Sequence, residues 1–190
     1  MVVQKVFIYI FAYFIGQFLF AHIVGVLLYR KNVFHLGSGN PGARNAGRSF
    51  GKWGFLLVLI GDMLKAFLVC LLADKVGIGI IGQSIALILV LLGHMYPVIY
   101  KFKGGKGVAS FIGGLLYISP FSTFSFIGVF IILFLIYRSF TKSGLIAIMT
   151  TPILLYLYES NLWVSIAITI IAIIIILRHT DKKVIVGDEQ

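Results

Sequence analysis

Acidic residues are scarce in this chain. Six Asp and Glu stand against sixteen Lys and Arg in 190 residues, a formal net charge of +10. Charged residues of both signs reach only 12%, about half of what a water-soluble domain carries. With 60% apolar residues and a mean hydropathy of +1.06, too little polar surface exists to face water on every side. An ordinary soluble domain is thereby excluded. The basic excess then reads as a mark of cytoplasmic loops rather than of nucleic-acid binding, and no nucleic-acid partner is expected. Cysteine occurs once, at Cys70 inside an apolar run, so no intrachain disulfide forms and the redox compartment stays unread. No Cys/His cluster has metal-ligand spacing, and neither a metal nor a cofactor is expected. Period-2 alternation is missing too, which excludes a membrane β-barrel.

What the chain does have is long apolar runs. Crossing the ~30 Å hydrocarbon core takes about 20 helical residues. Runs of that kind cover residues 6–28, 53–73, 78–100 and 161–177, with shorter ones at 108–119, 121–137 and 144–158. The first lacks a small-residue cleavage site and is expected to stay as an anchor. Ser119-Pro120 leaves open whether residues 108–137 hold one kinked helix or two, because proline removes a donor and disfavours helix in the residue before it.

Charge asymmetry chooses between them. With seven helices, Arg30, Lys31, Arg44, Arg48, Lys52, Lys101, Lys103, Lys106, Arg138, Lys142, Arg178, Lys182 and Lys183 share one side, against Lys5 and Lys75 on the other. With six, Arg138, Lys142 and the tail change sides and the asymmetry vanishes. The expected fold is therefore an all-α integral membrane protein: one polytopic domain over residues 1–190, seven spans, N-terminus outside and C-terminus cytoplasmic.

Two loops on the basic face carry chemistry. The first runs Leu36-Gly37-Ser38-Gly39-Asn40-Pro41-Gly42-Ala43-Arg44-Asn45-Ala46-Gly47-Arg48. Its glycines permit positive φ, so backbone N–H groups can turn toward an anion that Arg44 and Arg48 would grip with forked donors. Alone, it reads equally well as a cytoplasmic turn with topology-setting arginines. The second, Lys101-Phe102-Lys103-Gly104-Gly105-Lys106-Gly107, stands directly before an apolar run. Glycines that allow close approach, lysines and a helix start together make a phosphate cradle, although the sequence is not a Walker A loop. Two such loops on one face favour a site for phosphorylated ligands.

Other matches carry less. Gly77-Ile78-Gly79-Ile80-Ile81-Gly82 fits G-x-G-x-x-G, yet no strand precedes it and it opens a span. The segment 82–86 is a weak match to a nucleophile elbow. None of His22, His35, His94 or His179 has an acid five residues on, so the H-x4-D arrangement of many acyl-CoA acyltransferases is absent. Asp62 and Lys65 share one face of the second span. Charges at that depth are costly, and they read either as a functional site or as a packing ion pair.

The loop from Gly37 to Arg48, and the stretch Gly93-His94-Met95-Tyr96-Pro97 through Lys103-Gly104-Gly105-Lys106-Gly107-Val108-Ala109, resemble the PlsY family of bacterial acyl-phosphate:glycerol-3-phosphate acyltransferases. The resemblance extends over nearly the whole chain, including the Asp62/Lys65 pair. It implies transfer of a fatty acyl group from acyl phosphate to glycerol 3-phosphate at the cytoplasmic face of the plasma membrane, giving lysophosphatidic acid and inorganic phosphate for phospholipid synthesis. Its implied partners are those two substrates and the bilayer; an enzyme supplying acyl phosphate is left open. Ser38, Arg48, Lys106 and His179 take catalytic places. Asn45, Arg44, His94, Lys103, Gly104, Gly105, Gly107, Thr141 and Ser143 take substrate-binding ones, with Asp62, Lys65 and Glu189 in support. The tail departs from the family: Lys182 and Lys183 stand where Asn-Ile is usual, a second Arg is missing, and the spacing to Gly187 and Glu189 is two residues shorter. Arg44 also replaces a small residue or Thr. A paralogue that binds these ligands without turnover, or a small transporter of an anionic solute, are the alternatives.

Overall fold

The computed structural model describes residues 2–180; Lys182, Lys183, Gly187 and Glu189 lie outside the described residues. The described chain forms helices α1 (Val2–Gly16), α2 (Phe20–Tyr29), α3 (Ala43–Lys75), α4 (Gly79–Met95), α5 (Val108–Ile118), α6 (Pro120–Tyr137), α7 (Phe140–Glu159) and α8 (Leu162–Thr180). Five of these, α3, α4 with the turn after it, α6, α7 and α8, are long and apolar enough to cross a membrane. The pair α1 and α2, bent by 46°, makes a sixth if it counts as one broken span. At 11 residues, α5 spans about 16 Å at 1.5 Å per residue, roughly half the hydrocarbon core.

Helix α4 lies at the centre, packed against α1, α3, α5 and α8. Ala12, Ala66, Ala73, Ala86, Leu87, Leu91, Phe111 and Leu115 close the core around it. The small residues let backbones approach, as membrane helices require where lipid is as apolar as leucine. The outward faces carry Phe7, Phe121, Ile153 and Leu157 in exposed positions. On a soluble protein such a surface would aggregate; here it is the face for acyl chains. The protein is a multi-pass membrane protein.

Several boundaries differ from the sequence expectation, each for a local reason. The run 6–28 is not one helix but breaks between Gly16 and Phe20. No proline causes the break; tertiary partners hold it open. Gln17 Oε1 accepts the Ile99 N–H at 3.1 Å, and Lys65 Nζ donates to the carbonyls of Gly16 and Phe18 at 3.1 and 2.7 Å. The second run begins ten residues early, because Ala43 starts a short stretch of helix that turns at Gly51 into the span. Gly51 sits at φ 76°, ψ −171°, a conformation open to glycine and hostile to a β-carbon. The third helix of the sequence reading stops at Met95 rather than residue 100, since Pro97 forces Tyr96 out of helix, and a 3-10 turn at Val98–Tyr100 follows. Ser119-Pro120 separates two helices: Ser119 Oγ accepts the Ser122 N–H at 3.4 Å, and Pro120 occupies the first turn of α6, where its missing donor costs nothing.

Candidate active site

The first glycine loop is held by one side chain. Asn45 Oδ1 accepts the Ser38 N–H at 3.0 Å, and Asn45 Nδ2 donates to Leu36 O at 2.8 Å and to Val33 O at 3.4 Å. Asn45 is buried, and these bonds knot the loop onto the start of α3. Asn45, expected from the sequence to bind substrate, bonds the loop backbone through its amide and sets where Ser38 stands. Arg44 and Arg48, four residues apart on the short stretch before Gly51, are both exposed. Arg44 Nη1 donates to Thr141 Oγ1 at 2.7 Å, and its guanidinium lies 5.0 Å over the Phe140 ring. A residue read as departing from the family pattern thus meets one read as part of the site, 97 positions away.

The second loop is pressed against the end of α4. The Gly105 N–H donates to His94 O at 3.0 Å. A β-carbon at Gly104 would collide with the carbonyls of His94 and Met95, and one at Gly105 with the His94 ring, so both positions need glycine for close approach. From the other side comes Arg178, 5% exposed. Its Nε donates to Gly105 O at 3.4 Å and an Nη to Gly104 O at 3.2 Å, and the guanidinium covers the Tyr96 ring at 4.9 Å. The two glycine carbonyls are therefore turned toward Arg178. Past them, the first N–H groups of α5, which have no intrahelical acceptor, stand beside Lys106.

Lys106 is half-buried, and loss of hydration holds its ammonium below the usual lysine range, with the charges of Arg44 and Arg178 adding to the effect. The fields of Lys106 and Arg44 also reach His179. His179 Nδ1 lies 2.9 Å from Ile175 O. A carbonyl only accepts, so Nδ1 carries the proton and a neutral ring keeps Nε2 as a bare acceptor. Ser143 is buried at the start of α7 with no partner for its hydroxyl among the described residues. Among the described residues, the ion pair formed is that of Asp62 with Lys65, with His94 beside it, so Arg44, Arg48 and Lys106 converge without a carboxylate. The arrangement fits an anion better than any cationic or neutral ligand.

Of the sequence candidates, Arg44, Lys106, Thr141 and His179 come together, with Ser38 and Arg48 on the adjoining loop. Lys103 is exposed on the second loop. Asp62, Lys65 and His94 form a separate buried cluster beneath the second loop. Glu189 lies outside the described residues. Arg178 was given no role from sequence. Its signal there was the Arg178-His179 pair, which matches the Arg-His that opens the family's C-terminal motif, at the end of an apolar helix.

The family model described as glycerol-3-phosphate acyltransferase matches residues 6–185. The chain belongs to the glycerol-3-phosphate acyltransferase family. Glycerol-3-phosphate acyltransferase 1 of Bacillus cereus is 39% identical over 180 residues, covering 92% of this chain and 97% of that one. Its counterpart from Desulfitobacterium hafniense is 37% identical over 168 residues, covering 88% and 83%. Two crystal structures of PlsY (YgiH), an integral membrane glycerol 3-phosphate acyltransferase, superpose with TM-scores of 0.85 for the lysophosphatidic acid form and 0.86 for the glycerol 3-phosphate form. Both are 32% identical and cover 94% of this chain. The PlsY resemblance read from the two glycine loops is thereby established, and the altered tail does not remove the chain from the family.

Proposed function

We propose that this protein transfers a fatty acyl group from acyl phosphate to glycerol 3-phosphate, releasing lysophosphatidic acid and inorganic phosphate at the cytoplasmic face of a bacterial plasma membrane. The observation that carries this reading is the convergence of Arg44, Arg48, Lys106 and Arg178 around two glycine loops, with no carboxylate beside the first three among the described residues. Both substrates bear phosphate, and two anions come together only where surrounding cations offset their repulsion. Lys106 and the N–H groups opening α5 hold one phosphate; Arg48 and Ser38 orient the other.

The chemistry then needs little from the protein beyond placement. A glycerol hydroxyl oxygen attacks the acyl carbonyl carbon, the bond from that carbon to the phosphate oxygen breaks, and the electron pair leaves on phosphate. The hydroxyl proton goes to His179 Nε2 or to the departing phosphate itself. Because the acyl donor is already activated, positioning and stabilisation of the leaving charge supply the rate. The acyl chain stays in lipid and reaches the site laterally between helices, since moving it through water would expose its whole apolar length.

The decisive assay gives purified protein glycerol 3-phosphate with palmitoyl phosphate or, in parallel, palmitoyl-CoA. Lysophosphatidic acid and phosphate should form only from the acyl phosphate. Product from the thioester alone would overturn the donor assignment, and none from either, in folded protein, would leave a ligand-binding paralogue or a transporter.

A further inference from the structure

Lys65 has more hydrogen-bond partners than protons. Its Nζ lies 2.7 Å from Phe18 O, 2.7 Å from Asp62 Oδ1, 2.8 Å from His94 Nδ1 and 3.1 Å from Gly16 O. An ammonium has three N–H bonds, and the three shortest contacts take them. One of those is a ring nitrogen, which accepts only through a lone pair. Nδ1 of His94 is therefore bare, and the imidazole proton sits on Nε2. The reverse tautomer would aim one N–H at another across 2.8 Å. An imidazolium would place a second cation beside Lys65 and within reach of the Arg178 charge. Asp62, its Oδ1 3.5 Å from Nδ1 and already accepting from Lys65, offsets only part of that cost.

The position of the other ring nitrogen gives this assignment a consequence. Nε2 of His94 lies so close to Gly105 that a β-carbon there would collide with it, under the turn whose carbonyls Arg178 draws to its own side. The Gly105 N–H is held by the backbone carbonyl of the same histidine at 3.0 Å. One residue thus grips the loop through its backbone and presents a ring N–H to its underside. We propose that Lys65 is a positioning residue for the phosphate site: it fixes His94 as the Nε2–H tautomer, and that ring N–H serves the anion cradle as a neutral donor beneath Gly104 and Gly105. A neutral donor suits the place. It adds a hydrogen bond to the phosphate without further crowding the positive charge of Lys106, Arg44 and Arg178. The inference rests on the reading that the glycine–lysine loop holds phosphate. It assigns the buried ion pair a task beyond closing the broken end of α1.

Two substitutions separate that task from a purely structural one. In His94→Asn the amide oxygen reaches the place of Nδ1 and still accepts from Lys65, but nothing replaces Nε2–H. In His94→Gln the amide nitrogen reaches the place of Nε2. Calorimetric titration of the full chain in detergent with inorganic phosphate should show affinity about tenfold weaker for His94→Asn and within about threefold of wild type for His94→Gln. The KM for glycerol 3-phosphate should follow the same order, with kcat changing less. Wild-type affinity in the Asn variant, or equal losses in both, would overturn the proposal. Nitrogen-15 spectra of histidine-labelled wild type, with His94→Asn used to assign the signal, need no variant to retain function. They should show His94 bare at Nδ1 and protonated at Nε2, with Nε2 moving when phosphate is added; an Nδ1–H pattern would sink the proposal. Wild type that binds phosphate without making lysophosphatidic acid would refute the enzymatic reading alone. Wild type that turns over with the Nδ1–H tautomer would refute the Lys65 assignment alone.

Discussion

At one end of the bundle Asp74, near the close of α3, accepts from Gln83 Nε2 at 2.8 Å and from the Tyr117 hydroxyl at 2.9 Å. At the other end Arg44, Arg48 and Lys106 gather with no acid among the described residues. The first cluster joins α3, α4 and α5 through groups that satisfy one another. In the second, like charges are held close against their mutual repulsion, which costs stability and makes sense only if something negative completes it. Paired polar groups in a membrane bundle serve packing, and unpaired ones of a single sign mark a ligand. The contrast yields predictions of very different size.

The largest effects should come from Arg48→Ala and Lys106→Ala. Each removes a donor from charge that develops on phosphate, so turnover should fall by about 100-fold to 1,000-fold, while thermal stability holds or rises as repulsion is relieved. Steady-state kinetics beside a melting curve would test both halves; near-normal activity in either variant would remove that residue from the site. Gly105→Ala comes next. Its methyl group would run into the His94 ring and lift the loop, and a shift of about 1 Å in a binding element costs on the order of 100-fold in rate. Asn45→Ala should cost about 1–3 kcal/mol in stability, because the Ser38 N–H and the Leu36 carbonyl lose their partner, with a lesser loss of turnover as Ser38 drifts.

Titration of Lys106 sharpens the same contrast. Burial and neighbouring cations hold its ammonium below the unfolded value, so between the two values the unfolded chain binds more protons. Stability of the ligand-free protein should therefore rise with pH across that interval. Phosphate affinity should fall across it, as the charge that binds the anion disappears. Lys106→Arg, charged throughout, should flatten both trends. Melting curves and phosphate titrations over the same pH range would show whether they do.

Much of this was legible in the sequence because lipid enforces simple rules. Every buried backbone group must be satisfied within the chain, so apolar length alone placed α6 almost to the residue and the start of α8 within one, and Ser119-Pro120 marked the α5–α6 boundary. The two glycine loops stood out because glycine and like charge have no reason to alternate in lipid. Breaks made by distant partners were not visible. Nothing between Gly16 and Phe20 announces an interruption; it exists because Gln17 and Lys65 are answered by residues 82 and 47–49 positions away. The backbone role of Asn45 was hidden for a related reason: a polar residue between two arginines suggests a ligand contact, and nothing in the sequence shows its amide meeting three local backbone groups. Arg178 was legible as a charge but not as a clamp on two glycine carbonyls from across the chain.

The smallest effect belongs to the far end, and its smallness is what makes it informative. Asp74→Asn removes a negative charge yet leaves an acceptor oxygen in place for the Gln83 amide. Its new amide nitrogen would face the Tyr117 hydroxyl, which can rotate and accept instead of donate. The cluster can thus be rebuilt with neutral bonds, and stability should change by no more than about 1 kcal/mol, the worth of an ordinary hydrogen bond. Turnover should not change at all, because no atom of the cluster lies near the glycine loops. A large fall in activity with stability intact would mean that the two ends are coupled through α3, α4 and α5. The division between a packing end and a binding end would then have to be abandoned.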